Sequence, residues 1–538
     1  MNQQIFKTVI IGFVALVVSI YLGVGAATQS TRTVIMAVAV GGAIVTLLLG
    51  RRVWLLAIFL GALGITLHIP GRPDTQLLGR ALLIGMACVL FLMRRFPLRI
   101  RFTELEFWGL ALALLLLQAY LRNPVGLNIF GGATVGARPY FEVALAIGYA
   151  IILSVMVLTT PRELKWAMWC VIVGSLVAVG LGIAGRFAPA IGMFFAVGGV
   201  AAAMQGGGHS QALMDDYFAD ERATRDQTAG RLSNILARTT VAFISPVKAV
   251  FHPVWAPVVL LSLVAAGLSG FRSAVAMVGL IYIIGICYRG GIAGLFIASI
   301  VLALGLMAIP ILQSITPLPP NIQRSFSFLP GNWDGRHIHD TRGSTEWRTE
   351  MWIEALTSER YIRNKAFGDG LGMTREQLER SAMLNEMQAQ GLGGWDVHRE
   401  NVMISGDYHS GPVHTIRTIG YFGLAVLLIA MIRLAMHAHR QIERCRGTEY
   451  FPMALFFGVP MIVSPIFFVF VFGEFAGGMA SYMVGAGMIR LMQNNLPLPE
   501  YVKKPKQVYV PLSTRGGARE AGREDPPPVA GAGRPAWR

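Results

Sequence analysis

Charged residues are scarce in this sequence. Only 14% of its 538 residues are Asp, Glu, Lys or Arg, against roughly 25% in a soluble protein. Hydrophobic residues make up 54%, and mean hydropathy is +0.55. This balance excludes an ordinary water-soluble domain. Cysteine is also rare. Cys88, Cys170, Cys287 and Cys445 fall in apolar runs or a basic loop, and no two form a CxxC pair. Neither a disulfide scaffold nor a thiolate metal site is indicated. Acidic residues are the scarcer sign, 30 against 46 Lys and Arg, for a formal charge of +16. That excess resembles a nucleic-acid signal, but its distribution does not. The basic residues sit in short clusters between apolar runs: Arg51 and Arg52; Arg94, Arg95, Arg99 and Arg101; Arg440, Arg444 and Arg446; Lys503, Lys504 and Lys506. Such clusters mark cytoplasmic loops of a membrane protein, so no nucleic-acid partner is expected. No internal repeat is visible.

A membrane-crossing helix needs about 20 mostly apolar residues, and about 12–14 stretches qualify. They run from 8–27, 33–49 and 53–69 through 273–288 and 293–312 to 475–492. The expectation is an all-α polytopic membrane protein, with N-terminal transmembrane helices in 1–312 and C-terminal ones in 413–495. No clear small-residue cleavage site follows the first stretch, which reads as an uncleaved helix. With the N-terminus in the cytoplasm, the basic clusters fall inside and the segment 313–412 falls outside. Ala190 to Met204 is apolar, but counting it as a span would invert everything after it. Residues 190–231 therefore read as a re-entrant or periplasmic segment. The large periplasmic loop, 313–412, is too long for a connector and carries Trp333, Trp347, Trp352 and Trp395. Residues 496–538 are rich in Pro, Gly and Arg and read as a disordered cytoplasmic tail.

Against this background the polar residues near apolar runs stand out. In "GDYHSGPVHTIRTIGYFGL", 406–424, His409, His414 and Arg417 crowd the start of a span. Ser410 and Pro412 suit a helix N-terminus, which presents partial positive charge and unpaired N–H donors to an anion. The simpler reading is snorkelling to lipid phosphates. Arg272 stands alone in "LSGFRSAV", 268–275, between two spans. A lone arginine there is expensive without a partner, and its planar fork grips phosphate with two bonds. In "GSTEWRTEMWIEAL", 343–356, Arg348, Trp352 and Ala355 share a helical face. The glycines of "AFGDGLGM", 366–373, make a turn but a weak nucleotide-binding pattern, since no strand–helix unit surrounds them. Arg231 precedes a span, as a headgroup anchor would. His337, His339 and Asp340 in "DGRHIHD" have ligand chemistry but read more simply as surface residues. Neither a metal nor a cofactor is expected. Glu474, in a very short outer turn, reads most simply as an interfacial carboxylate.

Taken in order, these residues resemble the O-antigen ligase and O-antigen polymerase superfamily of bacterial inner-membrane glycosyltransferases. The family's S-G-S-R-S-A turn is matched by Ser269-Gly270-Phe271-Arg272-Ser273-Ala274. Its R-x-x-x-W is matched by Arg348 and Trp352, and its glycine turn by Phe367-Gly368-Asp369-Gly370. Its H-N with a later G-x-x-G is matched by His409-Ser410 with Gly420 and Gly423. The resemblance covers roughly 225–435. Ser410 replaces the usual asparagine, Thr418 stands where many members carry glutamate, and His414 and Arg417 are additional. The resemblance implies transfer of a glycan from an undecaprenyl-pyrophosphate donor to an acceptor hydroxyl at the periplasmic face, without a metal. It implies Arg272 and His409 as catalytic residues. Arg231, Arg348, His414, Arg417 and Trp352 would bind substrate. The acceptor, whether a glycan, a lipid such as lipid A core, or a protein, stays open, as does ligase against polymerase. The alternative is a polysaccharide or lipid transporter or flippase. Transporters gather ionisable residues near the bilayer midplane in paired halves, whereas here they gather at one face.

Overall fold

The structure, a computed structural model, describes residues 50–67, 74–94, 99–125, 137–188, 195–196, 225–390 and 394–496, with 40–42 and 44. The expected spans 8–27 and 33–49 and the expected tail fall largely or wholly outside these residues. The described chain is built of helices: α1 Val53–Leu63, α2 Thr75–Leu92, α3 Glu104–Arg122, α4 Arg138–Val155, α5 Glu163–Phe187, α6 Gln227–Phe243, α7 Pro246–Val250 and α8 Trp255–Leu268. Then follow α9 Arg272–Ile315, α10 Pro320–Phe326, α11 Gly335–Thr357, α12 Arg375–Ala389, α13 Gly394–Ser405, α14 Gly411–Cys445, α15 Phe451–Phe470 and α16 Phe475–Asn495. Among the described residues seven helices, α2, α3, α4, α5, α9, α14 and α15, are long and apolar enough to cross a membrane. The protein is thus an all-α polytopic membrane protein.

Local chemistry sets the ends of these helices. Asp74 caps α2 through the Gln76 N–H, and Asp226 caps α6 through Thr228 and Ala229. Thr103 and Glu106 close a reciprocal capping box at α3. The expected span 53–69 is shorter than anticipated, because Gly64 turns left-handed after α1. A two-residue strand follows, in which Thr66 and Leu67 pair antiparallel with Ala196 and Phe195. The rest of 189–224 lies outside the described residues, so the expected re-entrant segment is described only at 195–196 and from 225 onward. Lipid offers little hydrophobic drive between helices, so close packing carries the association. Gly79 and Gly174 let α2 and α5 approach α1: a Cβ there would sit 2.6 Å from the Ala57 carbonyl and 2.8 Å from that of Phe59.

Two long helices are broken at glycines. In α9 the break is Gly291 (φ 59°, ψ −159°), which separates the two expected spans 273–288 and 293–312. The second half of α9 is apolar all round, with Ile292, Phe296, Leu304 and Met307 exposed, as suits a helix facing lipid. In α14 the break is Gly420 (φ 74°, ψ −177°), a conformation essentially confined to glycine. Here four backbone groups at the break find partners in the segment 365–370. The carbonyls of Arg417 and Thr418 accept from Asp369 N–H (2.6 Å) and Gly370 N–H (3.0 Å). The N–H groups of Tyr421 and Phe422 donate to the carbonyls of Lys365 (2.8 Å) and Ala366 (3.3 Å). The glycine turn 366–373 is therefore the plug of a broken helix. Gly368 has φ +76°, and a Cβ on it would lie 2.3 Å from the Ile419 nitrogen.

The segment between α9 and α14 carries the helices α10 to α13. Met351, Ala355, Ile362, Met403 and Tyr408 form a core of their own that continues into Val413 and Ile416 of α14. The segment thus grows out of the end of a membrane helix as one packed unit.

Candidate functional site: an arginine cluster facing a histidine–aspartate pair

The turn 268–271 joins α8 to α9. Gly270 takes φ +68°, and the Ser269 hydroxyl donates to the Ala266 carbonyl (2.6 Å). Two further segments dock on this turn. Asp226 N–H donates to the Ser269 carbonyl (2.8 Å), which sets Arg225 beside it, with its guanidinium 5.8 Å from the Phe271 ring centre. From α10, Ser325 and Asn321 donate to the carbonyls of Gly267 (2.8 Å) and Leu268 (3.0 Å), which brings in Arg324. Arg272 is the first residue of α9.

Arg348 of α11 faces this group. Burial lowers its pKa first, and the neighbouring charges of Arg272, Arg225 and Arg324 lower it further, while Asp407 opposes them. Its buried Nε has no hydrogen-bond partner among the described residues. An unpaired buried donor among like charges is a position of unsatisfied electrostatics, and a bound anion would satisfy it.

Asp407 links the arginines to His409. His409 Nδ1 lies 3.2 Å from Asp407 Oδ1. Enclosure raises the Asp407 pKa, but the hydrogen bonds and charge of His409, together with the charge of His414, lower it by more, so it ends below the usual aspartate value. His409 itself has φ +50°, an uncommon conformation for a non-glycine residue. It is held there from below: Trp352 Nε1 donates to the Tyr408 carbonyl (2.7 Å), and Tyr408 is fully buried. The imidazole stays about one-third exposed, between the rings of Trp347 and Phe472.

Of the other expected residues, Trp352 and His414 stand beside the His409–Asp407 pair, while Arg417 and Arg231 are directed at main chain. Arg417 is only 5% exposed. Its guanidinium donates to the carbonyls of Ser405 (3.0 Å), Ile404 (3.2 Å) and Gly372 (3.5 Å). It neutralises the C-terminal end of α13, a favourable place for a cation, and its charge is directed at main chain. His414 Nδ1 accepts the Phe475 N–H (3.1 Å) at the start of α16, which leaves the proton of the neutral ring on Nε2. Ser410 occupies the cap position of α14, but its side chain makes no capping bond. Trp352 positions the His409 turn.

Arg231 tethers to the end of α1, donating to the carbonyls of Gly64 (2.9 Å) and Leu63 (3.3 Å). It also lines a cavity of about 430 Å³ with Gln227, Asn234, Arg238, Phe271 and Ser273. Gln227, Arg231, Asn234 and Arg238 follow spacings of four, three and four, a single polar face of α6. Arg238 stacks on Phe456 (4.5 Å to the ring centre) and keeps a buried Nε without a partner among the described residues.

Arg225, Arg324, Asp407 and Arg238 were not singled out in the sequence. Two of them carry a local signal: Asp407 stands two residues before His409, and Arg238 seven after Arg231. Arg225 and Arg324 carry none, because only the docking onto the 268–271 turn brings them near. No family model matches this chain, and no curated protein matches it.

Proposed function

We propose that the protein transfers a glycan from an undecaprenyl-pyrophosphate donor to an acceptor hydroxyl at the periplasmic face of a bacterial inner membrane. One juxtaposition carries the reading: three arginines from three segments gather around Arg348, and a half-open His409–Asp407 pair stands on their flank. In the reaction the acceptor oxygen attacks the sugar's anomeric carbon, and the bond from that carbon to the phosphate oxygen breaks. The electron pair leaves with the lipid diphosphate, and the acceptor proton passes to His409. Arg272 and Arg348, with Arg225 and Arg324, stabilise the charge that develops on the leaving diphosphate. Asp407 orients the imidazole and stabilises it once protonated. Trp352 fixes the backbone from which the imidazole projects.

The test is glycan transfer in membranes at matched protein level. Removing one charge-stabilising donor typically lowers turnover by about 10²–10³, and losing a general base by about 10²–10⁴. Arg272→Ala and His409→Ala are each expected to fall in those ranges. Unchanged transfer in both would end the proposal.

Arg238 favours the second reading, a transporter, since it places a cation about 10 Å further along α6 than Arg231. The leaflet in which lipid-linked glycan accumulates after deletion separates the two. Outer-leaflet accumulation supports transfer, and inner-leaflet accumulation supports a flippase.

A further inference from the structure

The other end of the bundle holds a second cationic pocket, independent of the proposed reaction. From the Arg272 end, α6 and the first half of α9 run about 24 Å (sixteen or so residues at about 1.5 Å each). That is close to the thickness of a bilayer's hydrocarbon core, about 30 Å. Where they end, a pocket of about 340 Å³ opens, with Lys248, Arg289 and Arg446 in its walls. These come from three separate places: α7, the end of the first half of α9, and the residue after α14. Phe243, Tyr288 and Phe451 supply aromatic surface. Among the described residues, none lining the pocket is acidic.

The cations are held in place by the fold. Arg289 donates to the carbonyls of Val241 (2.7 Å) and Ala242 at the end of α6 and lies over the Phe451 ring. Arg446 donates to the Tyr288 carbonyl (3.1 Å) and pairs with Glu443 (3.2 Å). Lys248 is exposed. This anchoring leaves two fixed guanidinium groups and one exposed ammonium around a single void.

The surroundings identify the occupant. Phe251 (82% exposed), Val254, Ile292 (88%) and Phe296 flank the pocket with bare apolar surface of the kind acyl chains cover. The same end carries Arg440 and Arg444, the basic excess that faces an anionic leaflet. We infer that the structure assigns this pocket to the phosphate headgroup of an anionic phospholipid, bound between Lys248, Arg289 and Arg446, with its chains along α8 and the second half of α9.

The experiment uses the full chain in detergent. Thermal stabilisation is titrated with phosphatidylglycerol, with phosphatidylcholine and with inorganic phosphate, and retained lipid is read by native mass spectrometry. Phosphatidylglycerol is expected to stabilise and to be retained, and the other two are not. A basic side chain at an anionic surface is worth about 1 kcal/mol, or about fivefold in affinity. Lys248→Gln is expected to weaken the phosphatidylglycerol effect about fivefold while leaving the melting temperature in phosphatidylcholine unchanged. That variant keeps the Arg289 and Arg446 anchors, so it tests the pocket without removing a bond of the fold. Equal phosphatidylglycerol affinity in Lys248→Gln and wild type would overturn the assignment. So would stabilisation by inorganic phosphate as strong as by the lipid, which would mark a site for a free phosphate compound. Transfer activity plays no part in these readouts.

Discussion

Gly420→Ala is a substitution for which helix reasoning and the structure give opposite signs. In an ordinary helix interior, replacing glycine by alanine gains about 1 kcal/mol. At 420 the backbone has φ 74° and ψ −177°, and an L-residue there is strained by about 1–3 kcal/mol. The new Cβ would also lie 2.1 Å from the Ala366 carbonyl oxygen. The plug and the adjoining Lys365 must then retreat, which breaks or stretches the bonds from Tyr421 and Phe422 to Lys365 and Ala366. Each is worth about 0.5–1.5 kcal/mol, so the whole loss is about 2–6 kcal/mol. The measurement is unfolding in detergent, followed by thermal scan, with protease sensitivity at 365–372 as a local readout. Gly279→Ala is the control, since it sits in α9 with nothing within 4 Å of its Cβ; it should be neutral or stabilising. Equal melting of Gly420→Ala and wild type, with an uncut plug, would refute the break and its repair.

Other expectations follow from the same geometry. Arg417→Gln removes a buried guanidinium from three carbonyls, and a loss of about 2–4 kcal/mol is expected by thermal unfolding; Arg417→Lys should rescue only part of it. Trp352→Phe deletes the donor to the Tyr408 carbonyl, at about 1 kcal/mol in stability, and is expected to lower transfer about tenfold by loosening the His409 turn. Asp407 has a lowered carboxyl pKa, so its pairing energy is fully present above about pH 3.9 and is lost as pH falls through the lower folded value. Asp407→Asn should therefore cost less than about 1 kcal/mol at pH 7, because the pair is exposed, with the difference vanishing in melts at strongly acidic pH. Pyrophosphate at about a hundred times its Kd should stabilise the wild-type protein by about 2.7 kcal/mol, and Arg272→Ala by clearly less.

The membrane character and helical class were legible because composition and apolar run length follow directly from the solvent the protein occupies. The turn around Arg272 was legible for a related reason, since a lone cation between two spans has few innocent explanations. Arg417 was harder. A cation at a membrane mouth looks the same in sequence whether it faces an anion or another helix's carbonyl groups, and only the position of α13 decides between them. The glycines of 366–373 looked like a loose turn, and their requirement became visible only against Gly420, some fifty residues later. Arg225 and Arg324 were silent because their closeness to Arg348 is purely tertiary.

The plug has a consequence for how the chain is made. Asp369 and Gly370 leave the ribosome before Arg417 and Thr418, the residues whose carbonyls accept from them. Until α14 has been threaded into the bilayer, the N–H groups of Asp369 and Gly370 lack the carbonyls they pair with, although Arg122, Asn123 and Tyr140 already hold other groups of the turn. Completion of the region that carries His409 is therefore tied to insertion of one particular helix, and a ribosome stalled before residue 417 would yield a nascent chain in which that region cannot close.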